Sequence, residues 1–302
     1  VTRRLLRLLL PLAAALASSS CTVVETAGQA ISAVDPELGG SVVRTAQATG
    51  KAMEDITPAQ EYFLGRAVGA TLLQQYPPHP NENVQRYLNA LGQTLARFSD
   101  RPETFGGYQF MVLNTDEVNA FAAPGGKIFI SKGMIRLCQS ETDLAAVLAH
   151  EIGHVQHQHG ARAIQKSRLT SALAVIGTEA ARQLTDAETA QMLNAFEGSI
   201  QDVTGTLVNS GYGRALEHEA DQAALAILVR AGYDPRGLVN VLHGLDEMEN
   251  SRVDAASGPG FLKTHPKPRG RIDRVRPTVA AQPGVNETPA QAARYRSFRS
   301  QL

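Results

Sequence analysis

His150, Glu151 and His154 are the residues of this chain whose types and spacing are best suited to chemistry. On a helix, His150 and His154 are four apart and project from one side with a single turn between them. Two neutral imidazoles so placed can hold one zinc ion, and Glu151, beside the first, can reach a water on the position left open. The surrounding sequence predicts the helix. Leu144, Val147, Leu148, Ile152 and Val155 recur at three- and four-residue intervals, the period of a helix with one buried face. His157 and His159 fall near its end, where cationic side chains suit the dipole, and read as solvated rather than ligating.

The H-E-x-x-H string is the signature of zinc peptidases, and it needs a third ligand. Arg214 opens a second helical pattern that continues through Ala224, Ile227, Leu228 and Val229 to Gly232. On it Glu217 and Asp221 are four apart and share a face, while His218 and Glu219 point elsewhere. Taken alone, Glu-x-Glu-x-Asp reads as a solvated helix face. Downstream of H-E-x-x-H it reads as the rest of a His2Glu site for one zinc per chain, with Glu217 the third ligand. Asp221, one turn on, would accept the second ring N–H of a ligand histidine and fix its tautomer.

The elements around these helices predict a mainly α fold with a small β-sheet, an α+β architecture of zincin type. Thr57, with Pro58 at the first helical position and Glu61 nearby, caps a helix through Phe63, Leu64, Val68 and Leu72 that ends before Pro77. A second helix from about Asn81 carries Val84, Tyr87, Leu88, Leu91 and Leu95 on one face. Tyr108 to Leu113 and Lys127 to Ile130 are β-prone and flank the turn signal Pro124-Gly125-Gly126, which reads as a hairpin or small sheet. In zinc peptidases a strand here can accept an extended substrate by edge pairing, which makes Asn119, Ala120 and Phe121 the candidate substrate edge. A plain hairpin fits the same residues. His79, between prolines, reads as a solvated loop residue, and His243, within an apolar helix, as structural. After Gly160 an Ala-rich helical stretch runs to about Leu184, with Thr185 to Glu188 opening another.

The chain has 302 residues, 43% of them hydrophobic, and a formal net charge of zero. That balance leaves no basic excess to neutralise phosphates, which argues against a nucleic-acid partner. Arg3, Arg4 and Arg7 precede a short apolar run, Leu8 to Ala17, and small residues follow, the pattern of an export signal over residues 1–20. The run is shorter than the roughly 20 residues that span a bilayer. Ala15-Leu16-Ala17 suits ordinary cleavage, whereas Ser18-Ser19-Ser20-Cys21 resembles a lipoprotein box in which Cys21 is lipidated. Thr22 after the cysteine then implies the outer membrane, with the catalytic body in the periplasm. Residues 21–50 read as a tether, 51–275 as the metallopeptidase domain, and 276–302, rich in Pro, Ala and Arg, as a loose tail. Cys138 reads as a buried small hydrophobe.

Five segments in order resemble one family: V-N-A-F-A-A-P-G-G at 118–126, A-A-V-L-A-H-E-I-G-H at 145–154, E-H-E-A-D at 217–221, A-G-Y-D-P at 231–235, and T-H-P at 264–266 with Arg271-Ile272 beyond. They resemble the zinc metallopeptidases of the CAAX prenyl protease, HtpX and β-barrel assembly-enhancing protease type, nearest to the short periplasmic lipoprotein members. The resemblance implies zinc on His150, His154 and Glu217, with Glu151 catalytic and Asp221 supporting. Gly213 stands where the family commonly has Ser. In some relatives a histidine at the position of His265 approaches the metal and can block it, which makes His265 a candidate regulatory fourth ligand. From the residues alone it is equally a loop residue on a stiff connection. Arg214 and His265 are the candidates for assisting at the oxyanion. The implied activity is an endopeptidase for unfolded or misassembled envelope proteins. The competing reading is a zinc-stabilised chaperone or scaffold of the outer-membrane assembly machinery that seldom cuts.

Overall fold

The computed structural model describes residues 57–163, 198, 200–251, 260–265 and 267–302. These fall in one compact unit formed by residues 56–164 and 196–302. The expected signal, Cys21, the tether and the Ala-rich helices between 164 and 197 lie outside the described residues.

Helix α1 (Pro58–Gln75) opens with a reciprocal cap between Thr57 and Gln60. Glu61 has another task than the expected capping: it pairs with Arg101 at 2.6 Å and accepts the Gly125 amide at 3.1 Å, tying α1 to the Pro-Gly-Gly turn. Helix α2 (Glu82–Ala96) is capped by Asn81 and buries Val84, Leu88, Leu91 and Leu95, as its periodicity predicts. Three strands follow, β1 (Gln109–Leu113), β2 (Ala120–Ala123) and β3 (Lys127–Ser131), in the order β1-β3-β2. The β-prone runs do pair, but β1 and β3 are parallel, and the hairpin is made by β2 and β3 across Pro124–Gly126. The small residues of β2 hid it as a strand of its own.

Among the described residues β2 is therefore paired along one side. Asn119 O accepts the Ser131 amide, which in an antiparallel ladder turns the backbone groups of Ala120 and Ala122 to the other side.

A short helix α3 (Lys132–Leu137) leads into α4 (Glu141–Gln156), which carries H-E-x-x-H and starts with a capping box between Ser140 and Asp143. Leu144, Ala145, Leu148, Ala149 and Ile152 are fully buried, so the signature lies on the central helix of the core. Further along come a π-turn (Thr206–Ser210), α5 (Arg214–Arg230), α6 (Arg236–Asn250), α7 (Gly260–Thr264), α8 (Pro268–Ala280) and α9 (Pro289–Arg299). No helix among the described residues is long and apolar enough to cross a membrane.

Residues 276–302 are not a loose tail. α8 runs through Pro277, and α9 is capped by Thr288 with Pro289 at its first position. Two aromatic side chains, Tyr295 and Phe298, replace a sustained apolar face and are both buried. Phe298 stacks on Tyr87 at 4.2 Å, and the Tyr295 hydroxyl donates to the carbonyl of Cys138 at 2.9 Å. Arg294 meets Glu141, the first residue of α4, which also accepts hydrogen bonds from Tyr87 at 2.6 Å and Tyr233 at 2.7 Å.

Candidate metal centre

Helices α4 and α5 touch along their backbones because residue 153 has no side chain. A Cβ on Gly153 would stand 2.8 Å from the carbonyl oxygen of Ala220, one residue before Asp221. The close approach brings the H-E-x-x-H face against Glu217 and Asp221. A second glycine draws in the connection after α7. Gly211 has φ +66, and a Cβ there would fall 1.9 Å from the Thr264 carbonyl, so only glycine lets the chain pass. Tyr212 N–H donates to Thr264 O at 3.1 Å, and His265 enters the site beside it.

Four ligand atoms converge, from His150, His154, Glu217 and His265, all buried and within 4.8 Å of one another. His150 Nε2 is 3.1 Å from His154 Nε2 and 3.6 Å from Glu217 Oε2. His154 Nε2 is 3.4 Å from Glu217 Oε1, and His265 Nδ1 is 2.9 Å from the same oxygen. Ligand atoms at about 2.1 Å from a tetrahedral zinc lie roughly 3.4 Å apart, so the set fits such an ion. The charge pattern agrees. His150 Nδ1 lies 3.0 Å from Asp221 Oδ1, which accepts its proton, so that in the neutral ring Nε2 carries the lone pair facing that of His154. Two lone pairs at this separation repel unless a cation stands between them.

The electrostatics are those of a buried acidic pocket balanced by one guanidinium. Burial and Arg271 push His150 down, but hydrogen bonds to Asp221 and Glu217 outweigh them and lift it to about 9, so the carboxylates demand positive charge at that ring. Burial drives His154 well below its ordinary value and leaves it neutral. Burial opposes ionisation of Glu217, yet His265 and Arg271 hold it well below the carboxylate range; Arg271 does the same for Asp221. Arg271 donates to Asp221 at 2.9 and 2.5 Å and places Nη1 3.0 Å from Glu217 Oε2.

Glu151 stands apart. It is fully buried, neither of its carboxylate oxygens has a hydrogen-bond partner among the described residues, and burial raises its pKa. His265 Nε2 lies 3.8 Å from its Oε1. A buried carboxylate left without partners is costly, and such groups mark reactive sites more often than structural ones.

The structure thus brings His150, Glu151, His154, Glu217, Asp221 and His265 together, and puts Asn119, Ala120 and Phe121 at the sheet edge. Arg214 is exposed at the start of α5 and takes no part among the described contacts, which leaves His265 the nearer of the two oxyanion candidates. Gly213 is the N-cap of α5 and makes no side-chain cap bond, so α5 starts without the cap a hydroxyl at this position could supply. His243 is exposed, and His79 is buried with Nδ1 accepting the Asn81 amide, the reverse of the expected pair.

Three contributors escaped the sequence reading. Arg271 was visible only as part of a motif; the signal was that two buried acids, Glu217 and Asp221, need a cation. Tyr212 stacks on His154 with ring centroids 4.4 Å apart. His159, expected in solvent, is fully buried: Gln158 adopts a left-handed backbone, φ 54, which ends α4 and folds the next ring back onto His154. His159 Nδ1 is 2.7 Å from His154 Nδ1, and its Nε2 is 3.1 Å from Glu219 Oε2. Burial takes His159 down to about 4, so it is neutral.

Sequence comparisons agree with this geometry. The chain is 31% identical over 193 residues to the beta-barrel assembly-enhancing protease of Yersinia pestis, covering 64% of this chain and 38% of that protein. It is 30% identical over 203 residues to the protein of that name from Escherichia coli K12, covering 65% and 40%. It is 30% identical over 172 residues to the mitochondrial metalloendopeptidase OMA1 of Schizosaccharomyces pombe, covering 56% and 45%. The chain spans less than half the length of each of these relatives. Residues 82–279, which hold the converging histidines and acids, match the sequence profile of peptidase family M48, and with two thirds of its length inside that match the chain belongs to this family of metallopeptidases.

Proposed function

We propose that the chain is a zinc-dependent endopeptidase of the bacterial cell envelope that cleaves unfolded or misassembled proteins. One observation carries the catalytic part: Glu151, buried and without a hydrogen-bond partner among the described residues on either oxygen, beside four converging ligand atoms. A site built only to staple the fold has no use for such a base. His150, His154 and Glu217 hold the ion, a nitrogen-rich set with one carboxylate that suits zinc. An ion held there would supply Lewis acidity. Glu151 is the base that takes a proton from an attacking water and delivers it to the departing amine nitrogen. Asp221 keeps His150 in the ligating tautomer, and Arg271 clamps both Asp221 and Glu217 in their ionised forms. The edge strand formed by Asn119, Ala120 and Phe121 accepts an extended substrate backbone through the groups of Ala120 and Ala122 that face away from β3, which requires the substrate to be unfolded locally.

The envelope assignment rests on the N-terminal residue pattern, with Cys21 as the lipid anchor to the outer membrane, and on the assembly-enhancing role named for the bacterial relatives. His265 serves as a fourth, regulatory ligand, supported by its Nδ1 facing Glu217 at 2.9 Å. That same contact favours the second reading, a zinc-stabilised chaperone or scaffold with little proteolysis, because four protein ligands characterise closed structural zinc sites. Digestion of casein or an unfolded outer-membrane protein by wild type and Glu151→Gln separates them. Loss of cleavage in the variant is expected; equal cleavage removes the enzyme reading.

A further inference from the structure

Behind His154 runs a hydrogen-bond chain that the H-E-x-x-H signature does not contain. We propose that His159 is a positioning residue of the metal centre: it fixes the tautomer in which His154 turns the Nε2 lone pair toward the ion, and Glu219 is the acceptor that orients His159. The inference rests on the metal reading above.

Proton bookkeeping leads to it. An ionised carboxylate only accepts, so the hydrogen in the 3.1 Å contact between His159 Nε2 and Glu219 Oε2 belongs to His159. A neutral ring protonated on Nε2 has a lone pair on Nδ1. The hydrogen in the 2.7 Å contact with His154 must then be on His154 Nδ1, which leaves His154 Nε2 unprotonated and facing His150, Glu217 and His265. His159 itself is outside the converging set, on the far side of the His154 ring.

The two ligand imidazoles are thus fixed by different means. Asp221 acts on His150 directly, from within the core. For His154 the carboxylate acts through an intervening imidazole. Glu219 also accepts from Arg162 at 2.9 Å, and both of these side chains are about half exposed. Groups that hold a ligand histidine in this way govern metal affinity as well as geometry, with losses of about 10–100-fold on removal.

The test reads metal affinity, not turnover. Zinc affinity of the purified full chain is measured by competition with a chromophoric chelator for wild type, His159→Leu, His159→Asn and Glu219→Ala, with folding checked by circular dichroism. His159→Leu is expected to bind zinc about 10–100-fold more weakly. His159→Asn, whose side-chain oxygen takes the place of Nδ1 as acceptor, is expected to stay close to wild type. Unchanged affinity in His159→Leu overturns the proposal, as does an equal loss in His159→Asn and His159→Leu, which would assign the effect to packing. If His159→Leu does not fold, Glu219→Ala decides from its half-exposed position: a several-fold loss supports the proposal and no loss overturns it. A wild-type chain that takes up no zinc removes the metal reading itself, an outcome distinct from all of these.

Discussion

Replacing Glu151 by Gln should move activity and stability in opposite directions. Among the described residues the carboxylate has no hydrogen-bond partner, and Oε1 lies 3.8 Å from His265 Nε2, beyond hydrogen-bonding range. Gln keeps the volume and removes the charge. A positioned general base contributes about 10²–10⁴-fold, or roughly 3–5 kcal/mol of barrier, and casein digestion should fall by that factor. In the folded protein the charge is a burden. The penalty for a buried uncompensated ion is several kcal/mol, whereas an unsatisfied neutral amide costs about 1–3 kcal/mol. The difference leaves Glu151→Gln more stable by roughly 1–2 kcal/mol, an upward Tm shift of about 2–8 °C for a unit of this size. Both proteins are melted by scanning calorimetry in excess chelator, so that the comparison concerns the fold and not metal affinity. A lower Tm for the variant, or cleavage within a few-fold of wild type, would refute the view that Glu151 is held unpaired for catalysis.

Three further outcomes follow from particular contacts. His265→Ala removes the fourth converging ligand and should raise casein cleavage at saturating zinc; a fall would assign His265 to transition-state or structural work instead. Gly153→Ala sets a methyl 2.8 Å from Ala220 O, so α4 and α5 must separate, with a loss of about 1–3 kcal/mol in urea unfolding and weaker zinc binding; an unchanged midpoint would contradict the close-approach argument. Burial pushes Glu141 up, but hydrogen bonds from Arg294, Tyr87 and Tyr233 outweigh it and hold its pKa below the ordinary 4.5. A depressed carboxyl adds stability that is complete above its unfolded value and is lost as pH falls through the folded one. Arg294→Met should therefore flatten the acid limb of the unfolding midpoint against pH, and parallel limbs would speak against α9 being anchored through Glu141.

What could be read from the chain alone were the consequences of helical period. His150 and His154, and Glu217 and Asp221, are pairs four apart, so their sharing of a face follows from 3.6 residues per turn, whatever the rest of the protein does. The cap at Asn81, the buried faces of α2 and α4 and the turn at Pro124 are equally local, set by nearest-neighbour sterics and burial pattern. The remaining features depend on separations in sequence that no period encodes. His159 belongs to the site because one left-handed residue reverses the chain after α4, and Arg271 because α8 returns to two acids 50 residues or more upstream. Residues 276–302 looked unstructured because two aromatics, Tyr295 and Phe298, make no periodic stripe; their anchoring is visible only against Tyr87 and Cys138. Sequence dictates which side of a helix a group occupies, through backbone geometry shared by every chain. Which groups from distant helices lose their water together, and so shift one another's charge, is decided only when the core closes around them.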